Sequence, residues 1–160
     1  MSNADLPAQP GVPTLSHPVY GPFWDECQEG FLNLPRCEDC DYLLWPPAEV
    51  CPECLGRKIR WTVVPGIGTV WSVAVYDYGF TRELAARVPY ACVLVELDAG
   101  PRLVSALVDS PPDSAAPGLR VMATRTTNAV GVRLPCFRPL ADSGPGNAPE
   151  RTDSPVRAHN

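Results

Sequence analysis

The sequence predicts a mainly β chain with a short helix at its start, a four-cysteine metal module and a small closed barrel of OB-like form. Three observations lead there. Four cysteines fall in two C-x-x-C pairs, Cys37/Cys40 and Cys51/Cys54. After Gly56 the apolar residues recur at period two, in runs rich in Val, Thr and aromatics. The 160 residues hold one ordinary domain, or a small module attached to a slightly larger one.

The elements follow in chain order. Residues 1–16 and 141–160 consist mostly of Pro, Gly, Ser, Ala, Asn and charged residues. They carry too little apolar surface to offset the roughly 1–2 kcal/mol per residue that backbone ordering costs, so both ends are expected to be disordered. Residues 17–36 form the N-terminal helical segment. Its helix is Pro22 to Phe31, opened by proline and closed by Gly30, with Phe23, Trp24, Cys27 and Phe31 on one apolar stripe. Residues 37–59 are the metal module and residues 60–140 the barrel. Strands are expected at Arg60–Val64, Gly68–Tyr78, Ala91–Leu97, Arg102–Asp109, Leu119–Thr127 and Val130–Phe137. Turn signals separate them at Pro65-Gly66, at Asp98-Ala99-Gly100-Pro101 and at Ser110-Pro111-Pro112-Asp113, and Thr81–Arg87 holds a short helix. Short antiparallel strands in such number close readily into a barrel, because closure removes exposed edges. A small sandwich is the alternative. Trp61 and Trp71 are assigned to the barrel core, with a surface that meets a ligand or partner as the alternative.

The metal module rests on spacing. Two cysteines separated by two residues turn around one ion, and two such knuckles complete a tetrahedral sulfur shell. The ten residues between Cys40 and Cys51 are fewer than the roughly 15–20 usual between zinc knuckles, yet enough to return a short hairpin. Tyr42 to Pro47 is expected to pack over the ion. Because all four sulfurs of Cys37, Cys40, Cys51 and Cys54 are used, no position is left for a catalytic water, and the site reads as structural. Zinc is the expected ion and rubredoxin-like iron the alternative.

Charge and cysteine count narrow the function. Net charge is −5 and the pI near 4.9, whereas proteins that neutralise phosphates over a broad surface carry a basic excess. No nucleic-acid partner is expected, and a nucleic-acid-binding ribbon and OB module is kept as an alternative, because both folds also serve that role. Seven cysteines are an odd number, and the first residues have neither the basic nor the apolar region of an export signal. No run reaches the roughly 18–20 apolar residues of a membrane span. A cytoplasmic protein without a membrane partner is therefore expected, with metal ligation rather than disulfides. A catalytic set is missing: His17 and His159 lie in or beside the ends, and there is no G-x-S-x-G, P-loop or G-x-G-x-x-G. Cys27, Cys92 and Cys136 read as small buried hydrophobes.

The strings RCEDCDYLLWPPAEVCPEC, GIGTVWSVAV, VPYACVLVELDAGPRLVSALVD and LPCFRPL resemble a known family. Its members are small acyl-CoA-associated proteins built from an N-terminal helix, a rubredoxin-like zinc ribbon and a C-terminal OB-fold. The likeness runs from about Pro22 to Leu140. It implies an accessory subunit, without catalytic residues of its own, that accompanies a thiolase-like acyltransferase, thiolase or aldolase, or a hotdog-fold enoyl-CoA hydratase. Such a subunit stabilises its partner and holds part of the CoA or acyl-CoA. The basic cluster Arg57, Lys58 and Arg60 is the candidate contact to CoA phosphates, with plain solvated surface charge as the alternative. The family commonly has Gly after the second cysteine of each knuckle; here Asp41 and Leu55 stand there, and Gly56 is expected to absorb the second turn.

Overall fold

The computed structural model describes residues 17–25, 29–127, 131 and 133–140. The expected disordered ends, 1–16 and 141–160, lie outside the described residues, as do Cys27 and His159. Helix α1 (Gly21–Asp25) precedes strand β1 (Phe31–Cys37), which pairs antiparallel with β2 (Ile59–Pro65). Then come β3 (Ile67–Tyr76), the one-turn helix α2 (Arg82–Ala85), β4 (Tyr90–Leu97), β5 (Arg102–Leu107), β6 (Arg120–Thr127) and β7 (Arg133–Pro139). The last five strands close into a barrel in the order β3-β4-β5-β7-β6. All pairings are antiparallel except β5 with β7, which meet in parallel at Leu107 and Phe137. The barrel settles the choice against a sandwich.

Alternation carries these strands. In β4 every second residue is buried, Ala91, Val93, Val95 and Leu97 pointing inward. They meet Val70, Leu103, Leu107, Val121, Ala123 and Phe137 from the other strands. Each Val, Leu or Phe among them contributes about 1.5–3 kcal/mol on burial. Helix α2 starts where a cap dictates, since Thr81 Oγ1 accepts the Leu84 N–H at 3.2 Å.

Four local expectations are revised. The described helix, Gly21–Asp25, does not extend to Phe31, which opens a strand. Gly30 takes φ +76°, donates its N–H to Ala123 O at 2.8 Å and accepts from Gly66 N at 2.8 Å, so the chain turns there into a strand. That strand, β1, has no period-two pattern because Leu32, Asn33, Leu34 and Pro35 are all buried. Covered on both faces, it loses the alternation that reveals half-buried strands. Third, the strand expected at Arg60–Val64 exists as part of β2, but it pairs with β1 outside the barrel. Fourth, Trp71 is not core. A bulge between Val70 and Ser72 leaves Trp71 out of register and 53% exposed, with the Arg102 guanidinium 3.7 Å above its ring.

The β1–β2 hairpin and the barrel share one apolar core, running from Phe23 through Leu32, Leu34 and Val64 to Val121 and Ala123. Polar ties reinforce the junction: Thr124 Oγ1 donates to Glu29 Oε2 at 2.9 Å and Arg138 Nε to Glu29 Oε1 at 3.0 Å. These bonds hold the Glu29 carboxyl below its ordinary pKa.

Barrel closure has its own clamp. Arg120 grips Asp98 through both terminal nitrogens at 2.7 Å and reaches Thr69 Oγ1 at 3.0 Å, linking β6, the β4–β5 turn and β3. The bonds from Arg120 lower the Asp98 pKa from its ordinary 3.8. A carboxyl with a depressed folded pKa contributes stability that is present above its unfolded value and is lost as pH falls through the folded one. Screening at this partly exposed pair limits the contribution to about 0.5 kcal/mol. Urea midpoints of the wild type and Asp98→Asn should therefore differ slightly at pH 6 and converge in acid, as pH falls through the lowered pKa of Asp98.

Candidate metal centre

The two knuckles are built alike. In the first, Asp41 N donates to Cys37 O at 3.0 Å and Cys37 N to Tyr42 O at 2.9 Å. In the second, Leu55 N donates to Cys51 O at 2.9 Å and Cys51 N to Gly56 O at 2.9 Å. Each turn is completed by a left-handed residue, Asp41 at φ 65° and Leu55 at φ 61°. Leu55 thus makes the second turn itself, and Gly56 does not absorb it. Gly56 serves close approach instead: a Cβ there would collide with Asp39 Oδ2 and press on Cys54 Sγ.

These turns aim four sulfurs at one point. The Sγ atoms of Cys37, Cys40, Cys51 and Cys54 all lie within 4.8 Å of one another. The Cys37–Cys54 and Cys40–Cys51 separations are each 3.6 Å. A tetrahedron of thiolates at about 2.3 Å from a central ion has edges of about 3.8 Å, so the set fits such an ion closely. The four-cysteine cluster supports a structural metal.

Cys37 and Cys51 are fully buried with Leu44, while Ala48 and Ile59 pack against them. Shielding thus falls to Leu44, not to the whole 42–47 run: Tyr42 is exposed and Trp45 turns away to meet Phe23 at 4.5 Å. Without the ion the thiols share protons unequally. Burial opposes ionisation of Cys51, but N–H groups of Cys54 and Glu53 prevail and bring its pKa to about 7. For Cys40 the Tyr42 backbone bond favours the thiolate, yet burial and the three neighbouring thiols push its pKa to about 12. Metal loading must therefore release protons, and acid must weaken it.

Leu55 holds a conformation that costs a non-glycine residue roughly 1–2 kcal/mol, and its side chain is 75% exposed. Leu55→Gly relieves that strain and loses no burial, at an unfolded-state entropy cost of roughly 0.4–1 kcal/mol. A net gain of about 0.5 kcal/mol is expected, visible as a higher melting temperature of the metal-loaded protein.

The basic cluster after the second knuckle is largely spoken for. Lys58 Nζ lies 3.7 Å from Asp39 and Arg60 Nε 3.7 Å from Glu38. The antiparallel pairing of Arg36 with Arg60 and of Cys37 with Ile59 brings these acids across the hairpin. Arg57 instead lines a cleft of about 370 Å³ with Glu49, Trp61, Ile59 and prolines 18, 35 and 47. The structure therefore does not gather Arg57, Lys58 and Arg60 into one positive site. Elsewhere burial pushes the Cys92 and Cys136 thiols up, toward the neutral form. His17, beside the start of α1, meets the Tyr20 ring at 5.0 Å with the two planes tilted by 54°. Among the described residues no helix is long and apolar enough to cross a membrane.

A two-knuckle cysteine module followed by a closed five-stranded barrel defines the class: a rubredoxin-like zinc ribbon joined to an OB-fold domain. Residues 24–60 match the rubredoxin-like zinc ribbon domain of ChsH2, and residues 61–125 match its C-terminal OB-fold domain. Over 108 residues the chain is 31% identical to a DUF35 domain-containing scaffold protein of Pyrococcus furiosus, covering 64% of this chain and 76% of that one. It is 35% identical over 120 residues to a probable enoyl-CoA hydratase alpha subunit of Thermomonospora curvata, covering 73% of this chain but only 36% of that one. A solved structure of an Ltp2-ChsH2(DUF35) aldolase superposes with a TM-score of 0.62 at 33% identity, over 68% of this chain and 84% of that one. The chain belongs to the ChsH2/DUF35 family.

Proposed function

We propose that this chain is a non-catalytic accessory subunit of a thiolase-superfamily acyl-CoA enzyme, an acyltransferase, thiolase or aldolase, in the cytoplasm. The observation that carries the proposal is the solved ChsH2(DUF35) structure, which is that of an assembly with an aldolase. The scaffold proteins among the relatives support the same role. In this reading Cys37, Cys40, Cys51 and Cys54 hold one zinc ion, which shapes the ribbon, and the catalytic groups come from the partner. Residues 37–59 are the ribbon module and 60–140 the OB module, with β2 running across their boundary. Acyl-CoA is shared with the partner. Arg57, in the cleft with Trp61, is the best placed of the three basic candidates to meet a CoA phosphate, because Lys58 and Arg60 face acids.

A second reading, partner of a hotdog-fold enoyl-CoA hydratase, is favoured by the hydratase alpha subunits of Thermomonospora curvata and Mycobacterium tuberculosis. The chain spans about a third of those relatives' length, 36% and 32%. Affinity purification of the tagged chain from its native host tests both. Near-stoichiometric recovery of a thiolase-like enzyme is expected; recovery of a hydratase selects the second reading, and recovery of the chain alone removes both.

A further inference from the structure

The outer face of β3, β4 and β5 differs in character from the rest of the barrel. These three strands contribute Glu96 and Arg102 as their only charged residues, and the two neutralise each other at 2.6 Å. The neighbouring β6 and β7 carry Arg120, Arg125, Arg133 and Arg138. Register sets the outward rows: Ser72 beside Leu94 and Val104, Ala74 beside Cys92 and Ala106, and Tyr76 beside Tyr90. An antiparallel sheet with one solvated face would show polar residues here. Instead β4 is apolar on both faces up to Glu96, with Tyr90, Cys92 and Leu94 turned outward. Val104 is 67% exposed. At one end stands Trp71 under Arg102; at the other the Tyr76 and Tyr90 rings stack at 5.3 Å, with Phe80 edge-on to both Tyr76 and Tyr78.

We infer that this face is the docking surface for the catalytic subunit, and that it receives an uncharged, apolar patch of that enzyme. The inference rests on the accessory-subunit reading above and names the surface that reading leaves open. Three properties choose the occupant. The face bears no net charge, so a charged partner surface would lose hydration there without a counter-charge. Around small and aliphatic side chains it carries Trp71, Tyr76, Tyr90 and Arg102 and no Lys, and aromatic residues and Arg are the types enriched at protein interfaces. The third property is area. The flat part spans about 10 Å across three strands and about 14 Å along them, roughly 150 Å². Stable pairs cover about 800 Å² per side. Two copies of this chain stacked flat on that part fall well short. A larger partner extends the contact beyond that centre by also enclosing Tyr78 and Phe80, which project with 71% and 68% of their surface exposed.

The test uses the full, metal-loaded chain and the thiolase-like subunit recovered with it. Val104→Asp puts a charge at the centre of the face at a position already exposed; Phe80→Ala removes a projecting ring. Val63→Asp, on β2 outside the barrel and 56% exposed, is the control. Metal content and circular dichroism verify that each variant is folded. Binding to the purified subunit should weaken at least tenfold for Val104→Asp, and measurably for Phe80→Ala, with Val63→Asp unchanged. Wild-type affinity in both face variants overturns the inference and leaves the accessory role standing. A wild-type chain that captures no acyl-CoA enzyme refutes the accessory role itself. A wild-type dimer in light scattering that Val104→Asp turns into monomer assigns the face to a second copy instead.

Discussion

Cys51→Ser removes the metal and melts residues 37–58 while the barrel stays folded. The thiols sit in a small cluster of their own, Cys37 and Cys51 with Leu44, apart from the main core. That cluster is too small to hold two knuckles closed. In comparable modules the apparent binding energy of zinc, roughly 10–16 kcal/mol, is the folding energy. A serine hydroxyl does not replace a thiolate on such an ion, and the other three cysteines are left mutually repelled or protonated. The barrel draws its stability from Val70, Val93, Val95, Val121 and Phe137, none of which touches the metal cluster. Hydrogen exchange should show amides of 37–58 unprotected in the variant and those of β3, β4 and β6 as slow as in the wild type. A chelator should reproduce this in the wild-type chain. Loss of barrel protection together with the metal would show that the ion organises the whole molecule.

Leu34→Ala should do the reverse, lowering global stability by about 3 kcal/mol while the metal stays bound. Leu34 is 0% exposed and lies in β1 opposite Thr62, where hairpin, helix α1 and barrel share one core. Removing its isobutyl group opens a cavity that the surrounding strands, pinned by their ladders, fill poorly. Urea denaturation reads the loss, and metal analysis of the folded variant should still give one ion per chain. The two variants together separate what the ion shapes from what fixes hairpin to barrel. The shared core does the latter, so the angle between ribbon and barrel is set by apolar packing and the ion is left to form the knuckles.

The parts legible in the sequence were those with short-range signatures. The cysteine spacing announced the metal cluster, and the alternation YACVLVEL announced β4. Strand β1 stayed hidden because both its faces are covered and Pro35 interrupts the run. Trp71 was misplaced because a single bulged residue inverts the side to which a side chain points, and bulges leave no reliable mark in sequence. The basic cluster looked free because its acids, Glu38 and Asp39, are some twenty residues away along the chain and meet it only through the β1–β2 register. Leu55 shows the converse case. A turn that favours glycine forms with leucine once the ring of hydrogen bonds around the cysteines dictates the backbone.

In the proposed role the metal-bound chain gives form to an assembly whose chemistry belongs to another subunit. Turnover of acyl-CoA by the purified chain, by the purified partner and by the recombined complex tests it most directly. No turnover is expected from the chain alone, and full activity and thermal stability of the partner only in the complex. Acyl-CoA turnover by the isolated chain would contradict it.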